Sequence, residues 1–153
     1  MITEMQVLER LRDFIASGLG EHLNADGGEA PMENLDGSNV EIDFPGPDGM
    51  RKDVMLFIQP DYESIEELSV SSDTATLQAS VFILCKGAER KLLVRRVFAL
   101  FAALYSLLRS DPSLEGFIES SRITDMDYYP AVAAGRTMTG IEAKLELAWS
   151  RNF

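Results

Sequence analysis

Glu89 to Arg109 reads ERKLLVRRVFALFAALYSLLR, and the rest of the chain is organised around it. Leu93, Val97, Leu100, Phe101, Leu104 and Leu108 recur at helical spacing and form one wide apolar stripe. Arg95, Ala99, Ala102, Ser106 and Arg109 fall on the opposite side, where side chains are small or charged. Glu89 in the first turn and Arg109 in the last carry the signs that the helix dipole favours. Asp111-Pro112 stops the helix, because a residue before proline is pushed out of helical geometry. Burying the six large side chains is worth roughly 1.5–3 kcal/mol each before entropy is counted. This stretch is therefore expected to be the central helix of the core, lying across a sheet.

The segments before it supply the strands. Val40, Ile42 and Phe44 alternate with acids, and Pro45-Gly-Pro-Asp-Gly49 has turn chemistry. Lys52 to Gln59 puts Val54, Leu56 and Ile58 on one face and Met55 and Phe57 on the other. Thr74 to Cys85 is a long strand with Ala75, Leu77, Ala79, Val81, Ile83 and Cys85 facing one way. Its second face begins polar and ends apolar at Phe82 and Leu84. Beyond Pro112, a short segment with Leu114, Phe117 and Ile118 reads as a turn of helix. Arg122 to Tyr129 and Thr139 to Trp149 then close the chain as strands. In the last, Ile141, Ala143, Leu145, Leu147 and Trp149 alternate with Glu142, Lys144 and Glu146, a half-buried antiparallel pattern.

At the other end, Glu4 to Ser17 is expected to be helical, with Thr3 and Gln6 in capping-box spacing and Gly18 or Gly20 as its stop. Residues 21–39 are polar, acidic and glycine-rich, which predicts a mobile loop. The order α-β-β-β-α-β-β points to a single α+β domain over 1–153. Both helices should lie on one face of a mostly antiparallel sheet, its first three strands running as a meander.

A chain of 153 residues can bury one sizeable core. The N-terminal MITEMQVLERLRD lacks the basic start and apolar run of a signal peptide. Val97 to Tyr105, the longest apolar run, falls far short of a membrane span. Cys85 is the single cysteine, which excludes an internal disulfide and fits a reducing compartment. The expectation is a soluble chain made in a cytoplasm. The net charge of −11 is unevenly placed. Residues 1–85 hold 17 acids against Arg10, Arg12, Arg51 and Lys52, a net of −13, while residues 86–153 hold 10 bases against 8 acids, a net of +2. An acidic first half argues against wrapping nucleic acid, whose affinity depends on neutralising phosphates. The asymmetry serves solubility, or it lets copies of the chain meet acidic face to basic face.

Few residues suggest chemistry. Asp125 and Asp127, at i, i+2 on a strand, share a face and could hold a divalent cation if further oxygens completed the shell. The same pair also suits the solvated face of an edge strand. Cys85 continues an apolar face and reads as a buried structural thiol. His22 has no cysteine or second histidine to join it and reads as a surface side chain. Gly18-Leu-Gly20 lacks the strand–turn–helix setting of a dinucleotide loop. Lys86, Arg90, Lys91, Arg95 and Arg96 cluster at the helix start, as an anion site or an ion-pairing surface. No catalytic residue and no cofactor is assigned. More informative is the second sheet face, where Met55, Phe57, Phe82 and Leu84 would make one apolar patch if their strands are neighbours. Such a patch marks an interface unless the chain itself covers it.

The helix VRRVFALFAALYSLL, the strand RITDMDYY and the final MTGIEAKLELAW, together with the preceding helix and strands, resemble the tail terminator (tail completion) proteins of tailed bacteriophages and prophages. The resemblance is one of layout and excludes the 21–39 loop. It implies a non-enzymatic subunit of the virion tail, assembled in the bacterial host cytoplasm into a homo-oligomeric ring, possibly a hexamer. That ring would cap the tail tube and meet both the tube protein and a head–tail connector protein. DNA would pass through it without specific binding, along an acidic lining. The oligomer interface is then expected to use Met55, Phe57, Phe82 and Leu84. The basic group Arg90, Lys91, Arg95 and Arg96 should face Asp61, Glu63, Glu66 or Glu67 of the neighbour. Two other readings stand beside it. One is a dimeric α+β module for a small ligand or regulatory partner, and the other is a metal-dependent enzyme using Asp125 and Asp127.

Overall fold

The computed structural model describes residues 2–25, 35–43, 45–46, 49–61, 74–131 and 137–150. Helix α1 (Glu4–Ala25) is followed by a 3-10 turn (Gly37–Asn39) and strands β1 (Val40–Ile42), β2 (Val54–Pro60) and β3 (Thr74–Lys86). Helix α2 (Arg90–Ser110) and strands β4 (Ser120–Tyr129) and β5 (Met138–Ser150) complete the order. The strands form one five-stranded sheet, β1-β2-β3-β5-β4, and both helices join its core from one side. The fold is α+β, as the alternation of segments predicts.

Three of the four strand pairs are antiparallel, but β1 runs parallel to β2, so the first three strands are not a meander. The chain leaves β1 through Asp43 (φ 76°) and Gly46 (φ 100°), a left-handed excursion that turns it out of line with a hairpin. Asp43 N donates to Ile58 O at 2.8 Å and holds this corner against β2. The strand expected to reach Phe44 ends at Ile42, and Phe44 lies outside the described residues. β3 pairs with β5 along its whole length, from Thr74↔Ser150 to Lys86↔Met138, and forms the middle of the sheet.

The inward side chains are those that strand periodicity selects. Leu56, Ile58, Leu77, Val81, Ile83, Ile141, Leu145 and Leu147 are fully buried. Trp149 is buried as well, and its indole Nε1 donates to Ile2 O at 3.2 Å, which satisfies the one polar atom it brings inside. Against this face α2 lays Leu93, Val97, Leu100, Leu104 and Leu108. Phe101 departs from the expectation: it is only half-buried, while Ala103 and Leu107 are buried instead. α1 packs beside α2 and covers the side carrying Leu107, so the buried stripe is shifted toward α1 and away from Phe101.

α1 opens as expected, with Thr3 Oγ1 accepting from Gln6 N (3.2 Å) and Gln6 Oε1 accepting from Thr3 N (2.9 Å). It does not stop at Gly18 or Gly20 but continues to Ala25. The burial of Leu19 and Leu23 in the core outweighs a glycine penalty of about 1 kcal/mol each. Of the expected mobile loop over 21–39, residues 21–25 belong instead to α1, and residues 26–34 lie outside the described residues. Its end is a capped turn: Asp36 accepts from Ser38 N, Asn39 Nδ2 donates to Val54 O at 2.9 Å, and Arg12 Nε donates to Val40 O at 3.1 Å.

The segment after Pro112 is not a turn of helix. Leu114, Glu115 and Gly116 have φ of 51°, 62° and 80°, a left-handed run that costs energy for the two non-glycine residues. The Asp111 carboxylate holds it, accepting from Ser113 N, Ser113 Oγ and Glu115 N at 3.2, 2.7 and 3.0 Å. The burial of Leu114 repays the strain.

Candidate interaction surfaces

The register Met55↔Leu84 and Phe57↔Phe82 sets the four apolar side chains of the second face directly opposite one another. They do form one cluster. It is closed rather than open: Met55 and Phe57 are 0 % exposed and Leu84 2 %, packed with Met50 and Met138, and only Phe82 is half-buried. Gly140, opposite Leu84, carries no side chain on this face beside Met138. The expectation of an open apolar patch is therefore corrected, because side chains of the same chain already remove it from water. Met50 and Met138 lie outside the clear period-two runs, so alternation did not reveal them.

Arg90, Lys91 and Arg95 are exposed on the first turns of α2, and none of them forms an ion pair among the described residues. Arg96 is half-buried, its Nε has no hydrogen-bond partner among the described residues, and its charge opposes the rise that burial imposes on the Cys85 thiol. Burial prevails and pushes that thiol up to about 12, so Cys85 is a packing residue. Of the expected acidic counterparts, Asp61 is exposed at the end of β2, where its N–H donates to Gln78 O. Glu63, Glu66 and Glu67 lie outside the described residues.

Asp125 and Asp127 do share a face, since they pair with Lys144 and Glu142 of β5. Lys144 Nζ stands 3.2 Å from Asp127 Oδ2, and that hydrogen bond and charge raise the Lys144 pKa, with Glu142 adding to the effect. Asp125 Oδ1 accepts from Met126 N at 2.8 Å. The pair thus belongs to a polar ladder across the open half of this sheet face. In it Glu146 binds Arg122 (3.1 Å) and Gln78 (3.0 Å), while Glu142 accepts from Ser80 Oγ (2.7 Å) and Tyr129 OH (2.9 Å). Among the described residues no three His, Cys, Asp or Glu side chains are grouped to hold a metal ion. His22 is not on a loop but in the last turn of α1, half-buried, with Nδ1 2.9 Å from Ser106 Oγ of α2.

The surface that sequence reasoning missed lies between α2 and β4. β4 is the sheet's last strand, beyond the two strands that α2 covers, so its helix-side residues Ile123, Met126 and Tyr128 are only partly shielded. Phe98, Tyr105 and Tyr128 are 40 %, 44 % and 37 % exposed, three of the five most exposed large apolar side chains described. The Phe98 and Tyr128 rings stack at a tilt of 43° with centroids 5.2 Å apart. At the far end a cleft of about 330 Å³ opens between Tyr105, Leu108, Arg109, Pro112, Arg122 and Ile123. The Arg109 guanidinium lies 5.7 Å from the Tyr105 ring centroid. The sequence signal was the spacing 98, 101, 105, an aromatic flank beside the buried stripe. A register shift between Ile123 and Asp125 hides the matching residues of β4, because it breaks strict alternation.

Neither models of protein families nor the curated proteins yield a match to the chain. Among the described residues no helix is long and apolar enough to cross a membrane.

Proposed function

We propose that this chain is a non-enzymatic subunit of a phage or prophage tail, similar to tail terminators, which assembles head to tail into a ring that caps the tail tube and joins it to the head. The observation that carries the reading is topological. In the order β1-β2-β3-β5-β4 the strands of the acidic first half make one edge of the sheet, and those of the basic second half make the other. β4 and β5 themselves carry Arg122 and Lys144 against Asp125, Asp127, Glu142 and Glu146, so the exposed bases that set the second half apart are those of the first turns of α2, Arg90, Lys91 and Arg95. A chain whose two halves differ in charge balance suits a heterologous contact, which closes into a ring when the rotation permits. Electrostatic complementarity of that kind sets orientation and encounter rate more than affinity.

The apolar burial such a contact needs comes from elsewhere than the closed cluster of Met55, Phe57 and Leu84. The test is genetic and visual: inactivate the gene in the genome that encodes it and image the particles. Tube growth without its cap is expected to leave tails of irregular length unattached to heads. Normal, infectious particles would overturn the reading.

A further inference from the structure

β4 ends the sheet and pairs with β5 alone among the described residues, which leaves an outer edge ten residues long. Met126 N on this strand donates to the adjacent Asp125 Oδ1 at 2.8 Å, a local stand-in for the carbonyl that a further strand would supply. The register with β5 assigns the two faces. Ser121, Ile123, Met126 and Tyr128 stand opposite Leu147, Leu145, Ala143 and Ile141 on the helix side, while Arg122 and Asp127 stand opposite Glu146 and Glu142 on the other. Thr124 has no opposite residue at the register shift, so the two arms of β4 are out of step by one position.

That step decides how β4 can pair with itself. An antiparallel pair needs opposed residues on a common face. The register that meets this need over the whole strand sets Ile123 opposite Met126 of a second copy, because the two extra residues then meet at the two-fold axis. In it Arg122 lies opposite Asp127, and Ser121 opposite Tyr128, and each pair is repeated across the axis. Charge and size then agree. The sign alternates from Glu146 through Arg122 to Asp127 and Lys144 of the second copy, which continues the polar ladder. Ile123 and Met126 are both half-buried apolar side chains. Tyr128, 37 % exposed, meets a small serine beside the cleft of about 330 Å³ that Tyr105, Leu108, Arg109 and Ile123 line.

We propose that β4 pairs antiparallel with β4 of a second copy of the chain, joining the two sheets into one, and that Tyr128 of each copy lodges in the cleft of the other. The occupant is argued from self-complementarity: one register matches faces, opposes unlike charges and sets the outstanding ring against the cleft. The contact is two-fold, separate from the head-to-tail contact of a ring, and does not rest on that reading.

The experiment measures association of the purified full chain by sedimentation equilibrium, with circular dichroism to confirm folding. It compares the wild type with Met126→Pro, Tyr128→Ala, Arg122→Asp and Asp127→Arg. The wild type should dimerise. Met126→Pro removes an edge donor now turned to Asp125 and should abolish the dimer. Tyr128→Ala should dimerise at least about tenfold more weakly, as loss of an interface anchor does. Arg122→Asp and Asp127→Arg each oppose like charges and should dimerise weakly alone, whereas mixing the two restores unlike pairs and should give heterodimers. Should Met126→Pro not fold, the mixing of the charge variants decides alone. A wild type that stays monomeric at millimolar concentration overturns the proposal, and so does a dimer that survives Met126→Pro. Charge variants that gain nothing on mixing overturn the register and the pairing with it. Closed assemblies larger than a dimer that persist in Met126→Pro overturn the β4 pair while supporting the ring.

Discussion

Gly18 of α1 sits so close to Leu107 of α2 that a Cβ at position 18 would lie 2.7 Å from Leu107 Cδ1. Two residues on, a Cβ added at Gly20 would have nothing within 4 Å among the described residues. The two glycines look equivalent in the sequence, and the neighbouring helix makes them different. Gly20→Ala should stabilise the protein by about 0.5–1 kcal/mol, the helix-propensity gain. Gly18→Leu should destabilise it by about 1–3 kcal/mol through overpacking against a buried side chain. Urea unfolding of the two variants checks this, and equal shifts would remove the close approach as the reason for Gly18.

The displaced stripe of α2 has an energetic consequence. Leu104 is fully buried and Phe101 is not. Leu104→Ala is expected to cost about 2–5 kcal/mol, and Phe101→Ala clearly less than the about 3–5 kcal/mol of a fully buried phenylalanine. Chemical denaturation that ranks Phe101→Ala as the worse of the two would place the helix face incorrectly.

Asp111 should show itself through pH. Hydrogen bonds from Ser113, followed by those from the Glu115 and Ser113 N–H groups, hold its carboxyl below the usual carboxylate range. A depressed native pKa gives stability that is fully present above the unfolded value and lost as pH falls through the native one. Asp111→Ala should therefore lower Tm at neutral pH, and the difference from wild type should shrink as the solution is acidified below pH ~4. A difference in Tm that is independent of pH would assign the effect to the turn's shape and not to its charge.

Cys85 is 0 % exposed, and burial pushes its thiol up to about 12. In native buffer at pH ~8 it should resist a thiol-specific disulfide reagent, since the thiolate is the reactive form. In denaturant one thiol per chain should react at once. Fast reaction of the folded protein would contradict the packing around β3.

The ion pair of Asp127 and Lys144 is half-exposed on both sides, so its loss should matter little. Asp127→Asn is expected to change stability by under about 1 kcal/mol. Calorimetry with added divalent cation should show no tightly bound ion. Saturable binding abolished by Asp127→Asn would reinstate the carboxylate pair as a metal site.

Much of this architecture was legible residue by residue. Alternation along β5 assigns Ile141, Ala143, Leu145, Leu147 and Trp149 to one face because strand side chains repeat every two positions, and all five are buried. The same rule places Cys85 inside and sets Asp125 beside Asp127. Helical spacing assigns Leu93, Val97, Leu100 and Leu104 to the core for a similar local reason. Periodicity tells which way a side chain points, but not what other element arrives to cover it. That is why alternation groups Met55, Phe57, Phe82 and Leu84 into one patch without showing that Met50 and Met138 cover it. It is also why the α2–β4 groove was not read at all. The parallel pairing of β1, the passage of α1 through two glycines, and the position of β4 at the edge that α2 only partly covers each depend on contacts between segments far apart in sequence. Those contacts form only once the chain has collapsed, so the local pattern carries no record of them.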